Sequence, residues 1–295
     1  MIYHCTQKEC LWHRSASVFL IYVLTGLLLY ASALDSVFTY DDAHQITQNP
    51  SIRSLTSIPS FFNDIASGSR SPVETQHYRP VLLSTFAISY ALGGFNPIGY
   101  HLVNLVFHIG SAFLVFLIVK FMLREWIGGV VAGLVMLFHP FNSEVVNYVT
   151  ARSSVMAAFF YLLAFYAYIR YRPCCQENAS GARITEKRWW IYLSWGAFVL
   201  GMLTKEILIT LPIILVLYEY FFVLPSERNW RRLIYGMAPF IASPLVYLLI
   251  KIRVVGVLGP TTAVRGMGEN LLIQVKALGM PRNLCDGKAV WGRIF

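Results

Sequence analysis

The stretch "YHLVNLVFHIGSAFLVFLIVKF", Tyr100–Phe121, decides the fold class. It is apolar over nearly its whole length, and a helix needs about 20 apolar residues to cross the hydrocarbon core of a membrane. Comparable apolar runs occur at 18–34, 126–138, 154–169, 190–203, 207–224 and 233–250. The sequence therefore predicts an all-α polytopic membrane protein with about seven spans.

Composition supports a membrane protein. Of the 295 residues, 56% are hydrophobic and 13% are charged, and the mean hydropathy is +0.55, whereas a soluble domain carries about 25% charged residues. The formal net charge is +9, but the basic residues are scattered at the ends of apolar runs. This scatter favours basic membrane-flanking loops over nucleic-acid binding. The five cysteines form no CxxC pair, so neither a disulfide framework nor a zinc site is predicted.

The distribution of Lys and Arg predicts the orientation. With the N-terminus inside, the inner segments are the start of the chain, 120–125, 170–188 and 225–232, and they carry many basic residues. The long first outer segment, 35–99, holds only Arg53, Arg70 and Arg79. Because Lys and Arg collect on the cytoplasmic side, segment 35–99 is predicted to face the extracytoplasmic or lumenal side.

Two adjacent acids, Asp41 and Asp42, follow the first apolar run in "FTYDDAHQITQNPSI", 38–52. A carboxylate at a membrane surface can act as a general base on a hydroxyl nucleophile. It can also hold a divalent cation, Mg²⁺ or Mn²⁺, that bridges a phosphate. The alternative is structural, with Asp42 only capping the next turn.

Further polar residues lie on the same predicted side and come from separate chain segments. They are Arg79, His101, His139, Glu144, Arg152, Lys205 and Glu206. Charged residues at membrane depth are costly and by default indicate function, and Arg79, Arg152 or Lys205 could neutralise a phosphate leaving group. The alternatives are again structural: a Lys205–Glu206 ion pair that joins two helices, and a helix stop at His139-Pro140.

One face of the predicted helix at 100–121 carries His101, Asn104 and His108, which follow one another at three- and four-residue spacing. For His108, deep in the apolar run, a hydrogen-bonded packing role is favoured over ligation.

Four segments carry a resemblance to a known family: "TYDDAHQITQNPSIR", "HYRPVLLSTFAISYALGGFNPIGYHLVNLVFH", "LFHPFNSEVVNYVTARSSVMAAFFYLLAFYAY" and "LTKEILITLP". They resemble the membrane part of the transmembrane and tetratricopeptide-repeat protein family. That family is similar to the protein O-mannosyltransferases and lies within the GT-C glycosyltransferase superfamily. The match runs in unbroken order from about Ser17 to about Leu224.

The resemblance implies a GT-C-like helical bundle whose large first outer loop, 35–99, carries the catalytic acid. The implied donor is a polyprenyl or dolichyl phosphate sugar, typically mannose, and the implied acceptor is a hydroxyl on a polypeptide. The implied location is the endoplasmic reticulum membrane or a prokaryotic cytoplasmic membrane. The loop acid corresponds to Asp41 with Asp42 beside it, and the other matching residues are Arg79, His139, Glu144, Arg152, Lys205 and Glu206.

The C-terminal end departs from the family pattern. No tetratricopeptide repeats follow the membrane domain, which we expect to cover 1–284, and the tail 285–295 reads "CDGKAVWGRIF" where a further apolar run is expected. We therefore expect a truncated or frame-shifted end. Two other functions remain open: a non-catalytic membrane scaffold, and a transporter, which predicts charges near the membrane midplane and two related halves.

Overall fold

The computed structural model describes residues 3–39, 42–64, 78–172, 189–222 and 230–255, all within one compact unit, Met1–Gly256. Side chains are described from Ser15 onward in the first helix and over 236–254 in the last. These parts of the chain contain helices and no strand, which confirms the all-α class. Asp41 and the tail 285–295 lie outside the described residues.

Each apolar run of the sequence corresponds to a helix. The helices are α1 (Tyr3–Leu29), α2 (Ile58–Asn63), α3 (Pro80–Gly93), α4 (Pro97–Leu123), α5 (Trp126–Phe138), α6 (Glu144–Asn147), α7 (Arg152–Tyr171), α8 (Trp189–Met202), α9 (Leu211–Phe222) and α10 (Trp230–Val255). Short 3₁₀ turns precede α7 and α9, at Val149–Ala151 and Glu206–Thr210. Tryptophans begin α5, α8 and α10, as is typical of residues at a membrane interface.

By length and apolar composition, three helices of the described chain can cross a membrane: Pro97–Leu123, Val149–Tyr171 and Gly236–Val254. A fourth candidate is α5 taken with Pro140–Asn147, a pair bent by 54°. Shorter apolar helices lie at Ser15–Leu29, Pro80–Gly93 and Trp189–Met202. These helices define a multi-pass membrane protein, and the count of seven spans stays a prediction.

Local sequence explains where α4 and α5 begin and end. The Asn96 side chain accepts a hydrogen bond from the backbone N–H of Ile98, and Pro97 occupies the first helical position. At the other boundary, α5 ends at Phe138 because the residue before a proline is disfavoured in α conformation. His139 Nδ1 then accepts from the N–H of Phe141. The helix stop suggested for His139-Pro140 is therefore confirmed.

Helix ends that the sequence assigns to the outer side contact one another at one end of the bundle. The Tyr30 hydroxyl, just after α1, donates to the Leu137 carbonyl near the end of α5 at 3.1 Å. At the start of α4, His101 Nε2 lies 3.1 Å from the Ser36 carbonyl oxygen. We call this end of the bundle the loop end.

The ends assigned to the inner side meet at the opposite end. Lys120 in the last turn of α4 donates to Ser15 at 3.0 Å, and Arg172 after α7 pairs with Glu219 of α9. The helices therefore alternate in direction as the charge pattern predicted.

Candidate active site

Charged side chains converge at the loop end, where the start of α3, the turn before α9 and the end of α10 meet. The residues are Arg79, Lys205, Glu206 and Lys251, which we call the Glu206 cluster. Hydrogen bonds to backbone carbonyls fix these elements together. The N–H of Val81 donates to the Leu203 carbonyl at 3.3 Å, and the Tyr247 hydroxyl donates to the Tyr78 carbonyl at 3.2 Å.

Glu206 is the carboxylate of the cluster. Its Oε1 accepts from Lys251 Nζ at 2.9 Å, and its Oε2 lies 3.9 Å from Arg79 Nη2. Burial alone would raise the pKa of Glu206, but the hydrogen bond from Lys251 and the charges of Lys251 and Arg79 together lower it. Glu206 is therefore ionised at neutral pH.

Lys205 points away from its neighbour in sequence. Its Nζ donates to the Ser154 hydroxyl of α7 at 2.8 Å, and among the described residues it forms no ion pair with Glu206. Burial and the nearby Arg79 guanidinium lower the pKa of Lys205, against the opposing effect of Glu206. The sequence alternative of a Lys205–Glu206 pair is therefore replaced by a Lys251–Glu206 pair.

Arg79 has an unused donor. Its side chain is 18% exposed, and its Nε is buried without a hydrogen-bond partner in the described part of the chain. The exposed part of the side chain is open to a bound anion. Three cations and one carboxylate leave the Glu206 cluster with two surplus positive charges. The cluster therefore suits an anion that carries several acceptor oxygens, such as a phosphate.

Asp42 holds two segments of backbone together. Its side chain is buried, and the two carboxylate oxygens accept from the N–H groups of Thr39 and Thr150, each at 2.9 Å. Burial raises the pKa of Asp42, and these two hydrogen bonds oppose the shift. Asp42 makes no side-chain hydrogen bond to the turn that follows it, so the predicted cap of that turn is not formed.

Arg152 is fully buried, and every nitrogen of its guanidinium donates. Nε bonds Asn104 Oδ1 at 2.9 Å, Nη2 bonds the Tyr100 carbonyl at 3.0 Å, and Nη1 bonds Ser89 at 3.1 Å and Thr85 at 3.3 Å. The guanidinium thus joins α3, α4 and α7. This placement favours a structural role for Arg152 over the predicted phosphate contact.

The polar face of α4 also holds neighbouring segments in place. Asn104 donates to the carbonyl oxygens of Val145, Tyr148 and Val149, which fixes the loop before α7 against α4. His101 Nδ1 lies 2.8 Å from the Val146 carbonyl oxygen. His108 Nε2 lies 3.4 Å from both the Leu137 carbonyl and the Tyr30 hydroxyl, in agreement with the packing role favoured by the sequence.

Two of the predicted residues stay apart from these groups. His139 and Glu144 are both exposed at the loop end, and neither side chain contacts the Glu206 cluster in the described residues. By contrast, Asp42 and Lys205 are linked through the Val149–Ala151 turn and the first turn of α7. Thr150, which bonds Asp42, precedes Ser154, which bonds Lys205, by four residues, or roughly 6 Å along the helix axis.

The described residues offer no set of three His, Cys, Asp or Glu side chains close enough to hold a metal ion. Both oxygens of Asp42 already accept backbone N–H groups. The described donors therefore do not fit a divalent cation, and a metal held through Asp41 stays a prediction.

Sequence reasoning missed two charged residues that the structure places in contacts. Lys251 lies at the end of a long apolar run, and a cation in this position is a signal that could have identified it. Glu219 lies inside α9 and accepts from the Tyr168 hydroxyl at 2.7 Å and from Arg172. An acid within an apolar run could have been singled out, because such residues are rare in membrane spans.

The fold and the site together define a polytopic helical membrane protein with a surplus of positive charge at its loop end. Comparison with models of known protein families finds no match, and no solved structure matches the chain. Curated proteins do match. The chain is 31% identical over 197 residues to "Protein O-mannosyl-transferase TMTC4" of Homo sapiens, a match that covers 61% of this chain and 26% of the relative.

Two further relatives support the same family. "Protein O-mannosyl-transferase TMTC2" of Homo sapiens is 31% identical over 199 residues, covering 66% of this chain and 23% of the relative. "Protein O-mannosyl-transferase Tmtc2" of Drosophila melanogaster is 28% identical over 245 residues, covering 81% and 25%. The chain thus spans about a quarter of the length of these relatives. The matches confirm the resemblance to the transmembrane and tetratricopeptide-repeat family over this part.

Proposed function

We propose that the chain is the membrane part of a GT-C-type glycosyltransferase that uses a lipid-linked sugar. It transfers a hexose, mannose by the names of its relatives, from a polyprenyl or dolichyl phosphate to a protein hydroxyl. The reaction takes place at the loop end, on the extracytoplasmic or lumenal face of the membrane. The observation that carries the proposal is the meeting of Arg79, Lys205 and Lys251 at the loop end with a single carboxylate, Glu206, that pairs with only two of them.

The Glu206 cluster would hold the phosphate of the donor. Lys205 and Lys251 present ammonium groups, and the partly exposed guanidinium of Arg79 adds a third cation. Negative charge grows on the phosphate as the bond to the sugar breaks, so cations fixed beforehand favour the transition state over the ground state. Glu206 keeps Lys251 and Arg79 at the site by balancing part of their charge.

The base of the proposed reaction is Asp41. Its carboxylate takes the proton of the acceptor hydroxyl, and the hydroxyl oxygen then attacks the anomeric carbon of the sugar. The bond between that carbon and the phosphate oxygen breaks, and the lipid phosphate departs with the electron pair. Asp42, one residue away, accepts from the N–H of Thr150 in the turn before α7, and Lys205 donates to Ser154 in the first turn of that helix. These two contacts support a base close to the Glu206 cluster.

The test is transfer of radiolabelled mannose from dolichyl phosphate mannose to membrane proteins by the purified chain in lipid vesicles. Asp41→Asn should insert and fold normally but transfer at least about 100-fold more slowly, because a general base contributes roughly 10² to 10⁴ in rate. The matched control is Asp35→Asn, which removes the same charge from an exposed residue of the same loop and should retain the wild-type rate. A folded Asp41→Asn protein with the wild-type rate would refute the assignment.

A further inference from the structure

A second group of cations lies at the end of the bundle opposite the Glu206 cluster. Lys120 and Arg170 occupy the last turns of α4 and α7. On α4, Lys120 follows His101 by 19 residues, which corresponds to roughly 28 Å along the helix axis. These two groups of cations therefore lie at opposite ends of the described bundle.

Lys120 is fixed in an aromatic setting. Its Nζ lies 4.4 Å from the centroid of the Trp126 ring and 5.4 Å from that of Phe116, and it donates to the Ser15 hydroxyl at 3.0 Å. The two rings pack edge to face at 5.2 Å. Cation–π contacts of this kind hold an ammonium group in place without neutralising its charge.

Arg170 has a similar setting on the neighbouring helix. Its Cζ lies 5.2 Å from the ring centroid of Trp190 and 5.8 Å from that of Phe121, which directly follows Lys120 in the chain. Lys120, Arg170 and these aromatic walls form what we call the basic patch.

Neither cation of the basic patch forms an ion pair with a carboxylate in the described residues. A lone cation in a last helical turn needs no ligand, because it interacts favourably with the helix dipole. The basic patch holds two such cations at one end of the bundle, neither of them neutralised by a carboxylate among the described residues, so an anion at this level is attracted to both. The basic patch therefore suits a negatively charged ligand.

We propose that the basic patch binds the phosphate of an anionic phospholipid. The position argues for a lipid: Trp126 and Trp190 lie at helix starts, where tryptophan marks the level of the lipid headgroups. Basic pockets between membrane helices on one leaflet side recognise anionic headgroups in this way. The exposed guanidinium of Arg170 meets the headgroup first, and the half-buried ammonium of Lys120 completes the site.

The test measures lipid preference in nanodiscs of phosphatidylcholine that contain a minor fraction of fluorescent phosphatidylglycerol. The wild-type chain should enrich phosphatidylglycerol around itself. Arg170→Gln should lower this preference by roughly fivefold. Adding Lys120→Gln to Arg170→Gln should lower it by roughly another fivefold. Lys120→Arg keeps the charge and should keep the preference.

The matched control is Arg253→Gln, which removes one exposed cation near the loop end and should leave the preference unchanged. The proposal is overturned if the folded Arg170→Gln protein prefers phosphatidylglycerol as strongly as the wild type does. It is equally overturned if Arg253→Gln loses as much preference, or if inorganic phosphate at the same concentration displaces the lipid. Should the double variant fail to fold, the single Arg170→Gln change decides, because Arg170 is exposed.

Discussion

Arg79 and Arg152 are arginines at the same end of the bundle with different surroundings. Arg152 is fully buried and each of its nitrogens has a partner, so its charge is spread over hydroxyl and carbonyl oxygens. Arg79 is partly exposed, has an unpaired Nε and stands 3.9 Å from its nearest carboxylate oxygen. A ligand can therefore reach the exposed part of Arg79, whereas a ligand of Arg152 would have to enter the core and break existing hydrogen bonds.

Glu206 gives a pH-dependent prediction at this scale. Because its pKa is lowered in the folded state, the stability that its charge contributes is fully present above its ordinary pKa of 4.5 and is lost as the pH falls through the lower folded value. At pH values above 4.5, Glu206→Gln should lower the melting temperature by about 1 to 3 °C, since a partly exposed ion pair contributes little to the free energy of unfolding.

Thermal unfolding in detergent between about pH 7 and pH 3 would measure this. The gap between the wild type and Glu206→Gln should close as the pH falls below 4.5. The control is Glu125→Gln, which removes an exposed carboxylate at the opposite end of the bundle. A difference in melting temperature that stays constant or widens toward acid pH would show that Lys251 and Arg79 do not lower the pKa of Glu206.

At the scale of elements, close packing of α8 on α7 positions Lys205. The Ser194 hydroxyl of α8 donates to the Ala164 carbonyl of α7 at 2.7 Å. Further along, a Cβ on Gly201 would lie 2.9 Å from Phe160 Cβ and would also collide with Leu208. The carbonyl of Gly201 accepts from the N–H of Lys205 at 2.9 Å. The spacing of the two helices therefore determines the position of the Lys205 backbone.

Gly201→Ala should therefore destabilise the protein by about 1 to 3 kcal/mol, because an added methyl in a tight contact forces the backbone to shift. Gly196→Ala on the same helix is the matched control. A Cβ there meets nothing within 4 Å, and alanine favours a helix over glycine, so this variant should be at least as stable as the wild type. Equal melting temperatures for the two variants in a detergent thermal scan would contradict the packing account.

The helices and their alternating direction could be predicted from sequence because both depend on local signals. The length of each apolar run predicts a helix. The distribution of Lys and Arg predicts which helix ends lie together, and the contact of Lys120 with Ser15 is an example. Contacts between side chains were harder to predict. The partner of Glu206 is Lys251, 45 residues along the chain on another helix, and no local pattern connects them. Arg152 is a second example, because the sequence alone does not distinguish a charged residue that contacts a ligand from one that is buried and joins helices by hydrogen bonds.

At the scale of the whole molecule, the described bundle separates two kinds of positive charge. The loop end holds the Glu206 cluster, in which cations converge on a carboxylate and keep a surplus charge. The opposite end holds the basic patch, where cations lie against aromatic rings. The first group is the one that the proposed transfer uses, and the second is the one that the proposed lipid site uses.

The most direct measurement of the central claim is kcat/KM for dolichyl phosphate mannose in vesicles, comparing Lys251→Gln with Arg253→Gln. Both changes remove one cation from the last turns of α10, but only Lys251 belongs to the Glu206 cluster, whereas Arg253 is exposed. We predict that Lys251→Gln lowers kcat/KM by about tenfold or more, as expected for loss of a charge-assisted hydrogen bond to phosphate, while Arg253→Gln keeps the wild-type value. A folded Lys251→Gln protein with unchanged kcat/KM would contradict the account.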